Sequence, residues 1–113
     1  MPNPTTALLP NNFTTPNVPN TGVGVQIVPA NPQRNGLLIC NTSGNIIWIG
    51  PSTVVFVAGT QQQGTISLNV NSSLGFGFFV SNSRFTMFPW IWTAAMFAQA
   101  AAGATNTITV LEF

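Results

Sequence analysis

Side chains able to do chemistry are scarce in this chain. The charged set is Arg34, Arg84 and Glu112, and the lone thiol is Cys40. His, Asp, Lys and Tyr do not occur. General acid–base catalysis draws on His, paired carboxylates, Lys or Tyr. Glu112 has no second carboxylate with which to hydrolyse a glycoside. Cys40 has no His to make it a thiolate, and no Ser has one to complete a triad. One thiol and one carboxylate cannot close a metal shell. The expectation is a protein that is not an enzyme, with no catalytic residue, no metal and no cofactor.

The remaining composition narrows the class. The 113 residues suit one domain with its own core. Hydrophobic residues make up 45% of the chain, so disorder throughout is excluded. Only 3% of residues are charged, against about 25% in ordinary globular domains. A net charge of +1 without a basic run gives no electrostatic footprint for nucleic acid. Cys40 has no partner for an intrachain disulfide and reads as a small buried hydrophobe. Residues 1–10 have neither a basic n-region nor an apolar h-region, so a signal peptide is not expected. Sequons begin at Asn12, Asn41 and Asn71, at a density that chance explains in a chain so rich in Asn, Ser and Thr.

The elements that must position these few groups read as strands. Residues 1–22 hold five each of Pro, Asn and Thr. Proline fixes φ and removes donors, so this is an extended arm and neither helix nor central strand. Its apolar residues are Leu8, Leu9, Phe13 and Val18. An arm this poor in self-packing groups orders only against a surface. That surface is either its own domain or a neighbouring subunit. The expectation is contact with another polypeptide rather than only with its own sandwich, through these four side chains.

Residues 23–113 form the second unit. Val23, Val25 and Ile27 alternate, and residues 37–40 form a short buried strand. Residues 41–45 read as a hairpin loop returning through 46–49. Residues 54–57 are a further β-branched run. Ile66, Leu68 and Val70 oppose Thr65, Ser67 and Asn69, the pattern of a half-buried strand. Phe76, Phe78 and Val80 share a face, with Gly75 and Gly77 opposite, where a bulge or close backbone approach is expected. In residues 88–104 a strand is favoured over a helix or a membrane segment, with Trp90, Trp92, Ala94, Met96 and Ala98 on one face. A turn at 103–106 then makes a hairpin with the alternating strand at 107–113. About eight short antiparallel strands give an all-β fold, a single β-sandwich or a jelly-roll-like barrel. Nine Phe and three Trp supply its aromatic core. Arg34 precedes an inner strand and Glu112 ends the last one, so these two are the expected structural ion pair, with Arg84 as the competitor.

Two segments carry a resemblance. Residues 29–50, PANPQRNGLLICNTSGNIIWIG, place an Asn-Pro-x-Arg turn before an apolar strand, an Asn-rich loop and a strand ending in Ile-Gly. Residues 92–113, WTAAMFAQAAAGATNTITVLEF, end in Val-x-Glu. Together, and in this order, they resemble small β-sandwich virion proteins of tailed bacteriophages. The resemblance implies a capsid decoration, cement or minor capsid subunit located in the virion. It further implies a homo-oligomer partnered by other virion proteins, above all the major capsid protein. Those proteins are more charged than this one. A surface of amides and hydroxyls agrees with assembly, because a neutral group buried at a contact needs only a hydrogen-bond partner. The alternative is a glycan- or receptor-binding module of a phage tail, fibre or spike, in which Trp48, Trp90 or Trp92 would stack on sugar rings. Neither reading requires nucleic acid or membrane contact.

Overall fold

A computed structural model of the chain describes residues 12–51, 56, 60–61, 64–77, 85–88 and 90–113. Leu8, Leu9, Phe78, Val80 and Arg84, and most of the 54–57 run, lie outside these residues. Nine short strands are described: β1 Asn12–Thr14, β2 Val25–Val28, β3 Leu37–Cys40, β4 Ile47–Gly50 and β5 Ile66–Leu68, then β6 Ser73–Phe76, β7 Phe85–Phe88, β8 Met96–Ala100 and β9 Thr109–Glu112. They form two sheets, ordered β1-β9-β3-β6-β7 and β2-β8-β4-β5. The fold is a β-sandwich. All pairings are antiparallel except β6 with β7, which is parallel.

The core follows the alternation of side chains along each strand. Leu37 and Ile39 on β3, Ile47 and Ile49 on β4, and Met96, Ala98 and Ala100 on β8 point inward and are buried. Leu74 and Phe76 from β6, Leu68 from β5 and Val110 from β9 complete the layer. Cys40 falls on the outer phase of β3 and is half-buried, so it is not the buried group expected of it. Two other alternations break where the backbone does. A bulge between Gln26 and Val28 turns both Ile27 and Val28 inward, while Val23 lies outside the strand and is exposed. Asn71 adopts φ 62°, which ends β5 early and leaves Val70 exposed in the turn.

Neither expected hairpin forms. β3 and β4 lie in different sheets, and so do β8 and β9. The connections at 41–46 and 101–108 are arches that carry the chain from one sheet to the other. Buried carboxamides hold both. Asn41 Nδ2 donates to the carbonyls of Asn45 and Leu68, each at 2.9 Å, and Asn41 Oδ1 accepts from Ser43 Oγ at 2.7 Å. Asn106 Nδ2 donates to the carbonyls of Ala102, Val18 and Gly103. Asn45 Nδ2 donates to Asn106 Oδ1 at 2.8 Å, tying the two arches together.

The described part of the arm lies against this sandwich. β1 pairs with β9 as an edge strand, a position that its flanking prolines permit. Val18 N–H donates to Asn106 O at 2.8 Å, Asn20 N–H donates to Gly103 O at 3.0 Å, and the Val18 side chain is wholly buried. Val18 therefore belongs to the chain's own core and is not presented to a neighbour.

The Asn106 network predicts a specific sensitivity. Asn106→Ala removes an acceptor and the donor to three carbonyls, one of them on the arm and two in the arch. It should cost about 2–4 kcal/mol. Gly44→Ala, where an added Cβ meets nothing within 4 Å, should change stability by less than about 0.5 kcal/mol. Urea denaturation of both variants checks this, and equal midpoints would reject it.

Candidate functional site: an aromatic groove held by a buried ion pair

The sequence pairing of Arg34 with Glu112 corresponds to a direct contact. Arg34 Nε donates to Glu112 Oε2 at 2.6 Å, and Arg34 Nη2 lies 2.5 Å from the same oxygen. The two side chains are 0% and 9% exposed, which makes this a buried pair. The remaining guanidinium donors go to backbone. Nη2 donates to Pro29 O at 2.5 Å, and Nη1 donates to Trp92 O at 2.9 Å and Ala94 O at 3.3 Å. One arginine thus joins the end of β9, the loop before β3 and the segment before β8. Around it, Asn35 N–H donates to Phe113 O, Phe113 N–H donates to Gly36 O, and Asn31 N–H donates to Thr93 O at 2.8 Å.

These contacts explain why residues 88–104 are not one strand. The carbonyls of Trp92, Thr93 and Ala94 are taken by Arg34 and Asn31, so they are not offered to a ladder. The segment from Trp90 to Ala95 is irregular, and only Met96–Ala100 continues as β8. Met96 and Ala98 face the core as expected, but Trp90 and Ala94 are exposed and Trp92 is half-buried.

Gly77 fixes the other end of this segment. Its N–H donates to Phe88 O at 2.8 Å and Trp90 O at 2.9 Å. It adopts φ +86°, and a Cβ there would sit 2.6 Å from Asn35 O. The close backbone approach expected among Gly75 and Gly77 therefore falls on Gly77, and only glycine suits both requirements.

Arg34 and Gly77 together present a continuous aromatic ladder. Phe76 stacks on Phe88 with centroids 5.2 Å apart. Trp92 flanks Phe76 at 5.6 Å, and Trp90 flanks Phe88 at 5.0 Å. The ladder walls a groove of about 240 Å³ at one end of the sandwich, completed by Ile49, Gly50, Pro51, Gly64, Ile66 and Met96. The only side-chain polar atoms among these residues are the two indole nitrogens. Trp92 Nε1 is buried and has no hydrogen-bond partner. Trp90 is 58% exposed and its neighbour Ile91 is 50% exposed, so large apolar surface faces solvent beside the groove. Trp48 is buried in the outer layer of β4 and takes no part.

Of the expected arm contacts, Phe13 is exposed on edge strand β1, Val18 is in the core, and Leu8 and Leu9 lie outside the described residues. Among the described residues no group of three or more Cys, Asp or Glu could hold a metal ion. Pairing of the two indoles with Phe76 and Phe88 was not visible in the spacing, because it depends on β6 and β7 lying side by side in parallel. The chain matches no protein-family model, no curated protein and no solved structure.

Gly77 and Gly64 share a positive φ, of 86° and 85°, but only Gly77 lacks room for a Cβ. Gly64→Ala should therefore cost about 1–2 kcal/mol from the backbone alone. Gly77→Ala should cost about 3 kcal/mol or more, because the backbone at Asn35 must also move. Thermal denaturation compares them, and equal losses would contradict the assigned role of Gly77.

Proposed function

We propose that this protein is a non-enzymatic structural subunit of a virion, of the capsid decoration, cement or minor capsid kind that the resemblance implies. It binds neighbouring subunits, its own copies and the major capsid protein, through its arm and an uncharged surface. The observation that carries this reading is the disposition of charge. The described residues contain two charged side chains, and both are buried against each other. What they leave for contact is amide, hydroxyl and apolar surface. Such a surface lacks the net charge that keeps monomers apart, and it desolvates cheaply when neutral groups find partners. The exposed Trp90 and Ile91 add apolar area of the kind that marks an interaction site.

The glycan-binding alternative has weaker support. Sugars need several placed polar groups beside an aromatic face. The described groove residues offer two indole nitrogens, one of them buried.

Association through neutral groups should be nearly indifferent to ionic strength, because screening acts on charges. Retention of the protein on its parent particle should stay constant from low to molar salt, as read by sedimentation of intact particles. Release at moderate salt would show that charge carries the contact.

A further inference from the structure

We propose that the aromatic groove receives the arm of a second copy, with Ala7, Leu8, Leu9 and Pro10 as the inserted segment. The inference rests on the assembly reading above and names the partner of its contact surface.

The first argument is chemical fit. The described lining of the groove is apolar, aromatic and uncharged, and Trp90 stands open at its edge. Aromatic grooves take extended, proline-bearing segments, whose backbone is already stiff and loses little entropy on docking. Residues 1–11, MPNPTTALLPN, are uncharged in their side chains and contain three prolines and one adjacent leucine pair.

The second argument is position. Asn12 pairs with Glu112, Glu112 with Leu37, Leu37 with Phe76, and Phe76 with Phe88. This register row crosses the sheet at the end where the groove opens. Residues 1–11 are thus attached at the groove end of the sandwich.

The third argument is reach, and it selects the second copy. Four strand spacings of about 4.8 Å put Asn12 roughly 19 Å from Phe88. Leu8 and Leu9 stand four and three residues before Asn12, a reach of at most about 14 Å and 11 Å even if fully extended. The leucine pair of a chain reaches at most Phe76, three spacings or about 14 Å away at the near wall, and stops short of Phe88, so it cannot span its own groove. A neighbour's pair has no such tether. Reciprocal exchange closes a two-fold dimer, and one-way exchange gives a ring or chain.

Two full-length variants test this. L8D/L9D lies outside the described strands and disables the arm. W90A removes a side chain that is 58% exposed and disables the groove. Sedimentation velocity should show wild-type self-association, and each variant alone should associate at least about tenfold more weakly, since burying two leucines is worth more than that factor. Mixing the two variants should restore a complex, because the intact arm of W90A fits the intact groove of L8D/L9D. A monomeric wild type, variants that associate like wild type, or a mixture that stays monomeric would each overturn the proposal. Particle retention separates this from the assembly reading. Wild type that self-associates through arm and groove but does not bind its particle would remove the virion reading and leave the exchange standing. Wild type that binds its particle while both variants self-associate normally would remove the exchange alone.

Discussion

The buried contact between Arg34 and Glu112 constrains the segment before β8 and the groove that depends on it. Removing two charges from water costs several kcal/mol each, and the cost is offset only by close pairing and by satisfying every remaining donor. Arg34 meets that demand with the carbonyls of Pro29, Trp92 and Ala94. Those acceptors are available only if the chain before β8 leaves the sheet. An electrostatic requirement at one residue therefore sets the path of the segment that carries Trp90 and Trp92. The aromatic groove is a consequence of that path.

Elsewhere neutral amides do what charges do in ordinary domains. Asn41 and Asn106 are almost wholly buried, and each satisfies several backbone groups at a point where the chain changes sheets. Gln99, also buried, donates to Asn20 of the arm at 2.8 Å. Carboxamides can donate and accept at once, so they fit arches where carbonyls and amides converge. The low charge content thus has a structural counterpart, and among the described residues it leaves the outer surface without a charged side chain.

Much of this was legible in the residues. The apolar run at 37–40 and the alternation at 107–113 became β3 and β9, because side chains of one parity had a core to enter. The order of Arg34 before β3 and Glu112 at the end of β9 pointed to their contact, since antiparallel neighbours bring those ends together. The arches were not legible. Asn, Gly and Ser mark a reversal of the chain equally well whether the next strand joins the same sheet or the opposite one. The irregular path of 90–95 was hidden for a related reason, because its cause is an arginine nearly sixty residues earlier. Val18 was hidden too, since its burial depends on hydrogen bonds from the arm to the arch at 103–106.

The central claim is that the ion pair holds the aromatic segment in place while the sandwich core stands independently of it. Native-state hydrogen exchange on the Arg34→Met/Glu112→Leu variant tests it directly, because replacing both charges by apolar groups leaves no unpaired ion to unfold the protein. The reporter is the Asn31 amide, which donates to Thr93 O within that segment. The account predicts at least about tenfold faster exchange at Asn31, with the β3 amides still protected. Unchanged exchange at Asn31 in the folded variant would contradict it.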